Sequence, residues 1–82
     1  MNIQVINLNG DQLVLSPQVQ PALDKLTCDG AIPEAGWKEL ERQILNILEK
    51  DNFDRKKLQP EISYYDTKKG KKIESVSVTY LG

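Results

Sequence analysis

The sequence predicts an α+β fold: a small antiparallel or mixed sheet of three to four strands, packed on one face by a main helix and a shorter helix, in the chain order β(β)ααββ. Three observations carry that expectation. Between Glu34 and Lys50, the residues Trp37, Leu40, Ile44, Ile47 and Leu48 recur at the three- and four-residue spacings of one helix face. Two β-rich runs, residues 61–66 and 72–80, flank the turn-forming segment Thr67-Lys68-Lys69-Gly70-Lys71 and read as a hairpin. The opening run Ile3-Gln4-Val5-Ile6 is β-branched and stops at Asn9-Gly10-Asp11, a strong turn signal.

After that first strand, Gln12 to Leu15 supplies a short apolar run that can return antiparallel through a two-residue turn. Ser16-Pro17 then has the form of an N-cap followed by proline at the first helical position. Pro21 complicates this start, so regular helix is expected from Pro21, carrying Leu23 and Leu26 inward and ending at Cys28-Asp29-Gly30. The main helix gains Pro33 in its first turn and Glu34 near the positive end of its dipole, within reach of Lys38. Asn52 suits a left-handed cap at its other end, with Phe53 as the apolar clasp behind it.

Residues 54–60 read as a basic, proline-punctuated connection holding one helical turn capped by Asp54. In the last run, Val76, Val78 and Tyr80 share one face while Ser75, Ser77 and Thr79 share the other, the pattern of a strand covered on one side. Ile73 falls on the polar parity, which calls for a bulge near Glu74 or a contact outside the main core. The expected core is Ile3, Val5, Leu23, Leu26, Trp37, Leu40, Ile44, Ile47, Leu48, Ile62, Tyr64, Val76, Val78 and Tyr80.

At 82 residues the chain is expected to form one domain, 1–82, because folding at this size buries only about 60 to 65% of the unfolded surface. Function is therefore expected on the surface. The N-terminus carries no basic leader, and no stretch reaches the roughly 20 apolar residues of a membrane span, so no membrane association is expected. Cys28 is the one cysteine, which excludes an intramolecular disulfide and makes the cytoplasm the expected compartment.

The sequence contains no histidine, which removes the commonest general base and imidazole metal ligand and every Ser-His or Cys-His pair. The acids at 34, 39, 41, 49, 51 and 54 do not fall at a calcium-loop spacing, and the five glycines are too dispersed to cradle phosphate. No catalytic, metal-binding or cofactor-binding residue is assigned, and no enzyme is expected. Cys28 reads as a small packed residue rather than a nucleophile.

Charge is uneven. Residues 1–54 hold nine acids and four bases, a net of -5, and residues 55–82 hold three acids and seven bases, a net of +4, which sum to the overall -1. Either folding neutralises the halves against each other or the basic half forms an interaction surface. The candidate surface comprises Arg55, Lys56 and Lys57 in the connection, Lys68, Lys69, Lys71 and Lys72 around the hairpin tip, Tyr65 on the strand between them, and Leu45 beside the main helix stripe. Tyr65 rather than Tyr64 is the exposed tyrosine, because adjacent strand residues face opposite ways and Tyr64 shares the parity of Ile62. These residues point to a non-enzymatic protein-binding module, such as a small regulator, inhibitor or accessory subunit. The alternative is a nucleic-acid-binding domain in which both basic clusters track one phosphate backbone and a tyrosine stacks on a base. A sheet edge open to a second copy is a further route to association.

Overall fold

The computed structural model describes residues 2–26 and 34–82. Its elements are strand β1 (Asn2–Ile6), helix α1 (Val19–Leu26), helix α2 (Trp37–Lys50), strand β2 (Leu58–Thr67) and strand β3 (Gly70–Tyr80). Short 3-10 turns, Glu34–Gly36 and Arg55–Lys57, precede α2 and β2. The three strands form one mixed sheet in the order β1-β3-β2, with β1 parallel and β2 antiparallel to the central β3. A parallel pair needs a long crossover, and here both helices and β2 lie between β1 and β3 in sequence. The α+β class and the order of the elements agree with the sequence.

The register explains why one face of the sheet is core. Ile3, Val76 and Ile62 stand in one row across the strands, and Val5, Val78 and Pro60 in the next row on that same face. Against it lie Val19 and Leu23 of α1 and Leu40, Ile44 and Leu48 of α2, all buried, in one cluster with Ile3, Val5, Leu58, Ile73, Val76 and Val78. Leu26, Trp37, Ile47, Ile62 and Tyr80 pack on that cluster while keeping part of their surface. The expected core omits Val19, Leu58 and Ile73, and it includes Tyr64, which is 46% exposed.

Each departure has a physical cause. Leu58 falls in the stretch read as a connection, because Pro60 reads as punctuation. In the structure β2 is an edge strand, where a residue without an N–H is tolerated, so the strand begins three residues before Glu61. Ile73 is brought inward by a bulge: Ser63 pairs with Ser75 and Tyr64 with Ile73, leaving Glu74 as the extra residue of β3. The second strand is not built. Instead of a two-residue turn, Asn7 organises a wider loop, its Oδ1 accepting from the N–H groups of Asn9 (2.9 Å) and Asp11 (3.0 Å), with Gly10 at φ 85°. The return is then one bridge, Ile6 to Gln12, and one further bond from Leu13 N–H to the Val5 carbonyl at 2.8 Å.

Helix α1 begins at Val19, between Pro17 and Pro21, and Pro21 stands in the first turn, where its missing N–H has no intrahelical partner to lose. Val19 N–H donates to the Ser16 carbonyl at 3.0 Å, while the Ser16 hydroxyl is buried without a hydrogen-bond partner among the described residues, so it is not the side-chain cap that the sequence implies. Cys28-Asp29-Gly30, read as the end of this helix, and Pro33 lie outside the described residues. Helix α2 ends on a full Schellman motif: Asn52 N–H donates to the Glu49 carbonyl at 3.1 Å and Phe53 N–H to the Leu48 carbonyl at 3.3 Å, with Asn52 at φ 69°. Asp54 accepts from Lys56 N–H at 3.1 Å and caps the following 3-10 turn.

Candidate interaction surface

The sheet has a second face, and no described element lies on it. Its rows follow from the same register: Asn2, Ser75 and Ser63; Gln4, Ser77 and Glu61; Ile6, Thr79 and Gln59. Side chains of the central strand are small and hydroxylated, flanked by three amides, one carboxylate, Ser63 and, at one end, the aliphatic Ile6, so the face is predominantly polar and rich in donors and acceptors. Beyond Ser75 the β2–β3 hairpin continues as a two-stranded arm, because β1 pairs only with residues 75–79 of β3. Tyr65 and Lys72 face each other across this arm, and Tyr65 is 46% exposed.

The arm is riveted to the helix layer from the opposite side. Trp37, in the first turn of α2, meets Tyr64 with ring centroids 5.3 Å apart at an interplanar angle of 38°. Lys71 places its ammonium 4.8 Å from the centre of the Tyr64 ring and 3.5 Å from Glu34 Oε1. Glu34 thus pairs across the fold rather than along the helix with Lys38. The Glu34 carboxylate, followed by Tyr64, raises the Lys71 ammonium above its ordinary value. At the far end of α2, Phe53 and Tyr80 make an edge-to-face pair at 4.9 Å and 88°. Tyr64 therefore lies on the face expected from Ile62 but outside the core: it is an aromatic strut at the rim.

The arm ends in a tight turn. Gly70 adopts φ 111°, Thr67 Oγ1 donates to the Gly70 carbonyl at 2.6 Å, and Lys69 N–H donates to Thr67 Oγ1 at 3.2 Å. Thr67 thereby fixes the conformation in which Lys68 and Lys69 are presented to solvent. Lys68, Lys69 and Lys72 are exposed and pair with no acid among the described residues, in contrast to Lys71.

The other basic cluster is elsewhere. Arg55, Lys56 and Lys57 precede β2 and the lysine turn follows it, and the 10 residues of β2 span about 30 Å at roughly 3.3 Å per residue. Arg55 is engaged locally, donating to Asn46 Oδ1 at 2.8 Å and to Glu49 Oε2 at 3.4 Å. The structure thus brings Tyr65, Lys68, Lys69 and Lys72 onto one arm and leaves Lys56 and Lys57 at the opposite end of the hairpin. Leu45 is half-buried and packed against the core, so it offers less surface than its place beside the helix stripe implies.

The sheet edges differ. β1 has its outer edge engaged by the Gln12 bridge and the Leu13–Val5 bond. On β2, the bond from Leu81 N–H to the Lys57 carbonyl at 2.8 Å sets the alternation, so that Leu58, Pro60 and Ile62 turn their backbone nitrogens outward. Pro60 has no N–H there, which blunts this edge.

The parity of Ser75, Ser77 and Thr79 predicts a sheet face turned to water, but these residues are not part of the candidate interaction surface drawn by sequence reasoning. A groove of about 320 Å³ between the start of α1 and the end of α2, lined by Val19, Ala22, Ile47, Lys50 and Asp51, also has no counterpart in that reasoning. Among the described residues there is no cluster of three or more acids or cysteines able to hold a metal ion, and no helix long and apolar enough to cross a membrane. Comparison with protein-family models, with curated proteins and with solved structures gives no match to this chain.

Proposed function

We propose that this chain is a non-enzymatic protein-binding module, acting as a small regulator, inhibitor or accessory subunit, and that it engages its partner through the bare face of the sheet and the hairpin arm that continues it. The observation that supports this reading is the asymmetry of the sheet: Ile3, Val5, Val76 and Val78 are buried under two helices, whereas Gln4, Ser77 and Glu61 on the other face meet no described element. The aromatic pairs at both ends of α2 hold the hairpin at a fixed angle, so the face is preorganised and its binding carries little ordering cost. The cytoplasm is the proposed compartment, in keeping with a single unpaired cysteine.

The nucleic-acid reading draws on the lysine turn and Tyr65, but the second cluster that would extend the track is about 30 Å away along β2. Affinity recovery from source-cell lysate, with and without nuclease, separates the two. A discrete protein held at moderate salt after nuclease treatment supports the module, and material lost with nuclease or modest salt overturns it.

A further inference from the structure

We propose that the tip of the hairpin arm is a docking point for an acidic segment of the partner protein, with Lys68, Lys69 and Lys72 pairing to its carboxylates and Tyr65 packing against its side chains. The proposal rests on the protein-binding reading above and names the chemistry of the partner. Charge is its first support. Three of the chain's 11 basic residues stand within five positions, exposed and without an acidic partner among the described residues, while Arg42, Arg55 and Lys71 are held by Glu39, Glu49 and Glu34. Setting aside those three lysines takes the formal charge of the remainder from -1 to -4, so the tip is the basic pole of an acidic molecule.

Rigidity is the second support. The Thr67 hydroxyl bonds on both sides of the turn, and the Trp37–Tyr64 stack with Lys71 behind it anchors the base of the arm, so the lysines are carried on a supported ribbon. Lys71 is consumed in that anchoring, which divides the basic run into one structural and three free cations. Tyr65, directly across from Lys72, adds a half-exposed ring to the same patch.

A short acidic segment fits this site better than a nucleic acid. Asp66, the exposed acid of the tip itself, stands opposite Lys71 on the other face of the arm from Tyr65 and Lys72, and a phosphate backbone following the sheet away from the tip meets Glu74 at the bulge and Glu61 in the face before any further free cation. An acidic segment needs only the tip and tolerates the acids beyond it by ending there.

The test is a nuclear magnetic resonance titration of the full chain at low salt with a decapeptide of alternating Glu and Asp, run beside a ten-nucleotide oligothymidine. The expected result is peptide-induced shifts centred on the amides of Tyr65 to Lys72, suppressed by added salt, and apparent affinity at least about tenfold weaker in the triple variant Lys68→Gln, Lys69→Gln, Lys72→Gln. The variant Lys56→Gln, Lys57→Gln serves as the control at the far end of the hairpin and is expected to bind as the parent does. Absence of shifts at the tip with millimolar peptide, equal weakening in both variants, or oligothymidine binding the tip more tightly than the peptide overturns the proposal. A protein captured from lysate that the triple variant retains undiminished also overturns the tip inference while leaving the protein-binding reading standing.

Discussion

At Asn52 the backbone turns through φ 69°, a conformation that closes α2 by placing the N–H groups of Asn52 and Phe53 on the Glu49 and Leu48 carbonyls. Asparagine tolerates this region better than most residues, and glycine better still. Asn52→Gly is expected to stabilise the fold by about 0.5 kcal/mol and Asn52→Ala to destabilise it by about 1 kcal/mol, as read by urea denaturation. Glu39 gives a second residue-level expectation. Its carboxylate, bonded to Arg42 and Gln43, is lowered from 4.5 to about 2. A lowered carboxylate contributes stability above its unfolded value and loses it as pH falls from about 4.5 towards 2. A carbon-detected titration should place the Glu39 midpoint far below 4.5, and Arg42→Gln should return it towards 4.5. The Asn52 cap, the Phe53 clasp and the Asp54 cap were all legible in sequence, since each depends on a local residue type at a fixed offset. The Glu39–Arg42 pair, three positions apart on the exposed side of α2, has no counterpart in the sequence expectation, which pairs Glu34 with Lys38.

Among the elements, the hairpin and its link to α2 carry the functional reading. The bulge at Glu74 is one of the two readings that Ile73, the residue out of parity, leaves open, and the register selects it. The depth of Tyr64 was not legible, because parity assigns a face but not the distance from the end of the helix that covers it. Trp37 stacks on Tyr64 at that end, so both rings stay partly exposed. A double-mutant cycle on Trp37→Leu and Tyr64→Leu should give a coupling of about 0.5–1.5 kcal/mol. Hydrogen exchange in Tyr64→Leu should accelerate at residues 66–72 before it does at residues 75–79. Uniform acceleration along β3 would show that the arm has no independent anchor.

For the whole molecule, the charge asymmetry of the sequence resolves into two parts. Arg55–Glu49 and Lys71–Glu34 join the basic half to the acidic half, as neutralisation on folding requires, while the lysine tip, and Lys56 and Lys57 at the other end of β2, remain outside that compensation among the described residues. Sequence alone could not apportion the two, because the approximately 30 Å between the basic clusters exists only once β2 is extended between them. Pro60→Val supplies an outward N–H on the β2 edge and is expected to promote concentration-dependent self-association in sedimentation experiments, whereas the parent stays at lower mass.

Ser77 stands between Gln4 and Glu61 at the middle of the sheet face on which no described element lies, and a substitution there tests whether that face is the binding surface. Arginine there puts a bulky cation in the face, with Glu61 opposite to receive it, so the fold is expected to persist. The most direct measurement compares the parent chain and Ser77→Arg for recovery of the nuclease-resistant partner from lysate, with circular dichroism confirming that the variant is folded. Loss of the partner from a folded Ser77→Arg chain is the predicted result, and undiminished recovery would contradict the account.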